Sequence, residues 1–405
     1  MKALNLSGGH EDAPLEGPFA SAEEAGVMVG YPPAASGRVT LDNWLKPPYQ
    51  RWSFLHTREL VPTAGIARGL PPVPLPAGSS VDLSWLTGFL DHSWTDGLLV
   101  LKEGRICYEA YRNGMAAATP HLTMSVTKSI VSLLWATLVT SGRGQAADLV
   151  VDHVPEMAGT AYGDATVEHL LDMRVASSWQ DDLSSQSDGM STLDVASGWA
   201  VPRPGVPGTL FELCRATRRR GAPGGLTSYA SPNADLLGLI IERVAQQPLA
   251  QVASELLWQP LGAEFDADVT LDPEGTAVCD GGFCVALRDL GRLGMLLLAG
   301  GAVGSRQVIP EAWIDGCWTA PLTTFAPGSY GGEIPGVSYH NLWWRIGDLL
   351  LARGIHGQLL AVDRRTQLVV VLLSSNPHAH APHDFIAQWE LLQLLSRSLQ
   401  EGLAG

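Results

Sequence analysis

Apolar residues recur along this chain in two periods. Leu98 to Leu101 and Ile106 to Tyr111 flank a polar Lys102-Glu103-Gly104-Arg105, a pattern that predicts a β-hairpin. Residues 124–140 are apolar on nearly every face and stop at Ser141-Gly142, which predicts a helix buried all round. Helical patches follow at Val167 to Met173, Ala234 to Gln246 and Leu287 to Leu298, separated by Gly/Pro/Ser loops. Gly354 to Val362 and Leu368 to Ser374, joined by Asp363 to Gln367, predict a second hairpin, and Ile386 to Leu399 an amphipathic last helix.

Strands near both ends with helices between them do not alternate as βαβ units. The pattern predicts an α+β fold: an antiparallel sheet built from the two chain ends and flanked by helices, beside a mostly helical lobe. Residues 1–40, rich in Gly, Pro, Ala and acidic residues, are expected as an arm over the surface, and Pro-rich Leu70 to Gly78 as a connector. Residues 41–112 and 283–405 then form the sheet lobe and residues 113–282 the helical lobe, with the cleft between them as the natural place for a site.

Composition narrows the classes. Of 405 residues, 46% are apolar and 17% charged, and the formal charge is −15. That is globular composition, and it offers no basic face for nucleic acid. The one basic cluster, Arg215 with Arg218 to Arg220, reads as a solvated helix end. Five scattered cysteines with no C-x-x-C pair argue against a disulfide framework or a zinc site. Glu11, Asp12 and Glu16 stand where a signal peptide has its apolar run, and no segment reaches the ~20 apolar residues that span a bilayer. A cytoplasmic protein with neither membrane nor nucleic-acid partner is expected; a homodimer is left open.

The chemistry begins with lysine. The chain has four: Lys2, Lys46, Lys102 and Lys128. Only Lys128 falls in an apolar helix, where an ammonium is costly unless it is paired or loses its proton. Ser125 lies one helical turn before it on the same face. A hydroxyl needs a base to become a nucleophile, and a desolvated lysine of lowered pKa can serve. The helix start also offers N–H groups to an oxyanion. S-x-x-K alone is common by chance and needs context.

Two further elements supply context. Tyr229-Ala230-Ser231-Pro232-Asn233 places a phenol just before a helix, where it can relay a proton. Gly354-Ile355-His356-Gly357-Gln358 has two glycines that admit close backbone approach, with the Ile355 N–H as a second oxyanion donor. His378, His380 and His383 read as a bland loop and Asp181-Asp182 as a solvated turn. No metal and no cofactor is expected.

In this order the three elements resemble the serine β-lactamases, penicillin-binding proteins and their esterase relatives. The resemblance is most specific for the 6-aminohexanoate-dimer hydrolase (nylon-oligomer hydrolase) branch. It runs from Leu41 to about Ser375 through Pro47-Pro48, Arg51-Trp52, Met124-Ser125-Val126, Val154-Pro155-Glu156, Gly198-Trp199, Gly281-Gly282, Trp343-Trp344 and Gly354 to Gln358. It implies the penicillin-recognising fold, with Ser125 as nucleophile, Lys128 and Tyr229 sharing the proton, and the N–H groups of Ser125 and Ile355 as oxyanion hole. Trp344 matches a pocket wall and Asp194 a substrate-orienting position; Leu183, Ser231, Asp280 and His356 complete the expected substrate-binding set.

Leu183 is a departure, because the branch has a Tyr there. Another is the missing Lys-Thr-Gly of penicillin-directed members, for no lysine follows Lys128. The implied activity is hydrolysis of short carboxylic esters or linear amides through an acyl-enzyme, with acyl transfer on the same machinery as an alternative. A β-lactamase or D-alanyl peptidase, and a silent binding protein with the same fold, are the rivals. Which of Lys128 and Tyr229 is the base stays open, since coupled groups titrate as a pair.

Overall fold

The structure is a computed structural model that describes residues 20–78, 82–179, 181, 188–332, 334–380 and 382–401. Leu183 and Asp182 lie outside the described residues. The strands are β1 (Thr63–Ile66), β2 (Thr95–Lys102), β3 (Arg105–Tyr111), β4 (His121–Leu122), β5 (Ala267–Thr270), β6 (Phe283–Val285), β7 (Ala302–Val303), β8 (Arg306–Gln307), β9 (Val337–His340), β10 (Trp343–Ile346), β11 (Leu349–Gly354), β12 (Gln358–Asp363) and β13 (Leu368–Ser374).

Seven of them form one antiparallel sheet in the order β3-β2-β13-β12-β11-β10-β9. The two ends of the chain meet where β2 pairs with β13, Leu98 with Leu372 and Val100 with Val370. Strands β12 and β13 are buried along their whole length, which is why they read as unbroken apolar runs rather than as alternation. The helix Leu287–Leu298 packs on the face that carries Leu99, Leu360 and Val369. Gly294 permits this approach, for a Cβ there would stand 2.4 Å from Val369.

The predicted antiparallel sheet from both chain ends is therefore present, with two local differences. The strand expected from Gly354 onward is two strands: Gly354 closes β11, Ile355–Gly357 make a tight turn, and β12 starts at Gln358. His356 has φ +60° at that turn, so the chain reverses there instead of continuing. A second sheet, β1-β5-β6-β4, has strands too short to show a period.

Between the sheets the helix Val126–Thr140 runs through the core with 13 of its residues buried. It packs against the helix Pro232–Ala245 and against β11 and β12, so helical residues and sheet meet at its N-terminus. Residues 20–40 are mostly turns; Ala22, Val27 and Val39 join Trp44, Phe54 and Met124 in a smaller apolar cluster beneath the same spot. No helix among the described residues is long and apolar enough to cross a membrane.

Candidate active site

Ser125 caps the central helix without acting as a cap. Its backbone is helical (φ −65°, ψ −3°) and its side chain makes no capping bond, although serine is among the best capping residues. Met124 before it takes φ +48°, a left-handed conformation unusual for a methionine. The turn is held by Thr123 Oγ1, which donates to the Phe283 carbonyl at 2.9 Å, and by Thr127 Oγ1, which accepts from the Phe283 N–H at 3.0 Å. The Ser125 hydroxyl is thereby freed for another partner.

That partner is Lys128. Its Nζ donates to Ser125 Oγ at 2.9 Å and to the Asp280 carbonyl at 2.7 Å, and it lies 5.2 Å from the Tyr229 ring centre. The expected lowered pKa is not what this setting gives. Burial pushes the ammonium down, but Tyr229, Asp280, Asp181 and Asp235 face it and outweigh burial, so its pKa is raised. Burial also raises the Tyr229 phenol, against the pull of Lys128 and a hydrogen bond with Ser125.

Tyr229 is positioned by an aromatic cage. Trp344 stacks on it at 5.5 Å, and Tyr330 and Tyr339 meet it edge-on at 5.4 and 5.6 Å. Trp344 thus stands behind Tyr229 and is buried, rather than facing the cavity as expected. The cavity wall has Trp199 instead, together with Leu45, Met190 and Leu193. His356 is likewise turned away: its Nδ1 bonds the Asn376 carbonyl at 2.7 Å, and burial pushes its pKa down to about 4. Its part is to hold the turn after Gly354, not to meet a ligand.

Gly354 is where strand and helix touch. A Cβ built on it would stand 2.7 Å from the Thr123 carbonyl and 3.0 Å from the Ser125 nitrogen, so only glycine lets β11 end here. The Ser125 and Ile355 backbones consequently border one cavity.

Ser231, Asp194 and Asp280 line that cavity too. Ser231 does not point freely: its Oγ donates to Asp181 Oδ2 at 2.6 Å and its N–H to Asp181 Oδ1 at 2.9 Å. Asp181 also accepts from Trp179 Nε1 at 2.7 Å and is buried, so it is an anchor and not the solvated turn expected. Asp194 is raised to about 7, mainly by burial and then by Asp280.

The sequence reading passed over Asp235. Its Oδ1 accepts the N–H groups of Cys279 and Asp280, both at 2.9 Å, and so fixes the loop that offers the Asp280 carbonyl to Lys128. A lone acid in the apolar run from Ala234 to Ile241 is the signal that had singled out Lys128. Elsewhere, Arg219 pairs with exposed Asp164, and no group of His, Cys, Asp or Glu among the described residues is arranged to hold a metal ion.

A Ser–Lys–Tyr cluster at a helix start, its lysine and phenol buried, facing a strand end across a backbone contact, defines the penicillin-recognising class of serine hydrolases. The chain belongs to the Beta-lactamase family, whose model matches residues 88–394. It is 34% identical over 378 residues to the 6-aminohexanoate-dimer hydrolase of Paenarthrobacter ureafaciens, covering 91% of this chain and 96% of that one. A solved structure from Bacillus anthracis, provisionally named a 6-aminohexanoate-dimer hydrolase, superposes with a TM-score of 0.81 at 23% identity, over 91% of this chain and 98% of that one. A family VIII carboxylesterase shares the fold at a TM-score of 0.55 and 15% identity, over 75% of this chain and 93% of its own.

Proposed function

We propose that this protein hydrolyses short carboxylic esters or linear amides, 6-aminohexanoate oligomers among them, through an acyl-enzyme on Ser125. The observation that carries the reading is the Lys128 Nζ to Ser125 Oγ bond of 2.9 Å at a helix start whose serine does not cap. Ser125 Oγ attacks the acyl carbon and its proton passes into the Lys128–Tyr229 pair. The Ser125 and Ile355 N–H groups hold the oxyanion, the pair returns the proton to the leaving group, and water then releases the acid.

Because Lys128 and Tyr229 are both raised, the pair rather than either member is the base, and it works after losing one shared proton. Asp194, Ser231 and Asp280 orient the substrate from the cavity wall. The apolar side of that wall, Leu45 with Met190 and Leu193, suits an alkyl chain, and acyl transfer to an alcohol or amine is the alternative on the same machinery. Five free cysteines support a reducing, cytoplasmic setting. The similarity to the Paenarthrobacter ureafaciens enzyme supports the amide class.

Incubation with a fluorophosphonate or a slow ester, followed by peptide mass spectrometry, should place the adduct on Ser125. Turnover of an ester, amide and cephalosporin panel should vanish in Ser125→Ala. An adduct on another residue, or full activity in the variant, would sink the mechanism.

A further inference from the structure

We propose that Arg353 forms a carboxylate-binding subsite of the Ser125 cavity, so that the protein selects substrates bearing a free carboxylate over neutral isosteres. The inference rests on the acyl-enzyme reading of the same cavity and adds the anionic end of the substrate to it.

Arg353 lies on β11, one residue before Gly354 and two before Ile355, and lines the cavity together with Ser125. Its exposure is only 8%. A guanidinium carries five N–H donors and cannot be neutralised by losing a proton. Its burial is costly unless an anion or several acceptors meet it. Among the described residues the Arg353 guanidinium has no ion pair and no hydrogen bond. Its contacts are the faces of Phe385, 4.3 Å from the ring centre, and Tyr330, 5.9 Å away. Rings hold a cation in place but leave the in-plane donors unused.

The other buried arginines show what a merely structural role looks like here. Arg51 bonds Asp96, Ser375 and two carbonyls, and Arg292 bonds Asp289, Glu264 and the Val73 carbonyl. Arg353 has none of this, although three carboxylates line the same cavity. Asp181 is occupied by Trp179 and Ser231, and burial raises Asp194 and Asp280 toward their neutral forms.

An incoming carboxylate can take two parallel N–H donors of Arg353, a geometry that lysine does not offer. In a chain of net charge −15, a local cation also removes the general repulsion of an anionic substrate.

The test compares kcat/KM within two ester pairs. The first, 4-nitrophenyl hydrogen glutarate against 4-nitrophenyl pentanoate, carries the carboxylate on the acyl side. The second, 4-(pentanoyloxy)benzoate against 4-(pentanoyloxy)benzamide, carries it on the leaving group. Wild type should prefer the anionic member of one pair by roughly tenfold or more, the value expected of a charge-assisted hydrogen bond. Arg353→Gln should erase that preference, and Arg353→Lys should restore part of it. No preference in either pair, or a preference that survives Arg353→Gln, overturns the subsite. So does a variant that slows both members of a pair equally, because that marks a structural arginine.

Wild type provides a check that does not depend on the variants folding. Pentanoate should inhibit pentanoate-ester turnover competitively and at least roughly tenfold more tightly than pentanamide; equal inhibition overturns the proposal. Turnover that depends on Ser125 but ignores Arg353 would refute the subsite alone, whereas turnover that survives Ser125→Ala would refute the acyl-enzyme reading beneath it.

Discussion

Two clusters of buried charge in this molecule have opposite characters. Around Asp96 every group is answered. Arg51 Nη1 donates to its Oδ1 at 2.7 Å, Ser375 Oγ to its Oδ2 at 2.6 Å, His121 Nε2 lies 3.0 Å from Oδ2, and Asn113 adds a fourth bond at 3.0 Å. These partners come from residues 51, 113, 121 and 375, so the cluster ties both chain ends to β2. Around Lys128 the satisfaction is incomplete. Asp235 Oδ2 and Asp280 Oδ1 lack partners, and burial raises both acids. A buried ion whose partners are all in place has one protonation state and serves as a rivet. A cluster in which acids, a phenol and an ammonium compete has several states close in energy, which is what moving a proton requires.

The comparison breaks first at Lys128 and Tyr229. Lys128→Met and Tyr229→Phe should each lower kcat/KM by about three orders of magnitude or more, and the double variant should be little worse than either. Losses that multiply cleanly in steady-state assays would mean two independent groups and no shared proton. Next comes the satisfied cluster. Asp96→Ala leaves the Arg51 guanidinium buried and unpaired, so denaturant unfolding should show a loss of about 3–5 kcal/mol, with turnover per folded molecule kept. A loss confined to activity would mean that the Asp96 cluster is not structural.

The smallest effect concerns Asp194. Its pKa in the fold, about 7, stands above the carboxylate's ordinary value, so its neutral form favours the fold. That contribution is complete below about pH 4 and is lost as pH rises through 7. Asp194→Asn should therefore raise the thermal midpoint relative to wild type more at pH 8 than at pH 4. Its partial exposure to the cavity limits the gain to on the order of 1 kcal/mol. A gain independent of pH would show that ionisation of Asp194 is not what costs stability.

Much of this was legible in the sequence, and the remainder was hidden for physical reasons. The sheet from both ends, the buried helix and the grouping of Ser125 with Lys128 and Tyr229 follow from apolar periodicity and from one lysine in an apolar run. The short strands β1, β4, β5 and β6 carry two to four residues each and leave no period to read. The upward shift of Lys128 was hidden because its acidic neighbours, Asp181, Asp235 and Asp280, lie 53, 107 and 152 positions away along the chain. Trp344 does not face the cavity and Trp199 does, since which indole lines it depends on how β10 packs on Tyr229. Arg353 was overlooked although it directly follows the apolar run Leu349 to Ala352 in the same strand.

The pairing of β2 with β13 also governs when the protein can exist as an enzyme. During synthesis β2 emerges long before its neighbour, with Lys102 and its partner Leu368 separated by 266 positions. At ribosomal speeds, that interval is on the order of tens of seconds. Throughout it, a buried-type strand, Leu98 to Leu101, presents an unpaired edge that can recruit another chain. The nascent protein also lacks β11, and with it Gly354 and Ile355, so the serine has been made but has no wall to face. Catalytic competence arrives only with the last stretch of chain, and the vulnerable interval before it is where chaperone dependence and aggregation on overexpression should concentrate.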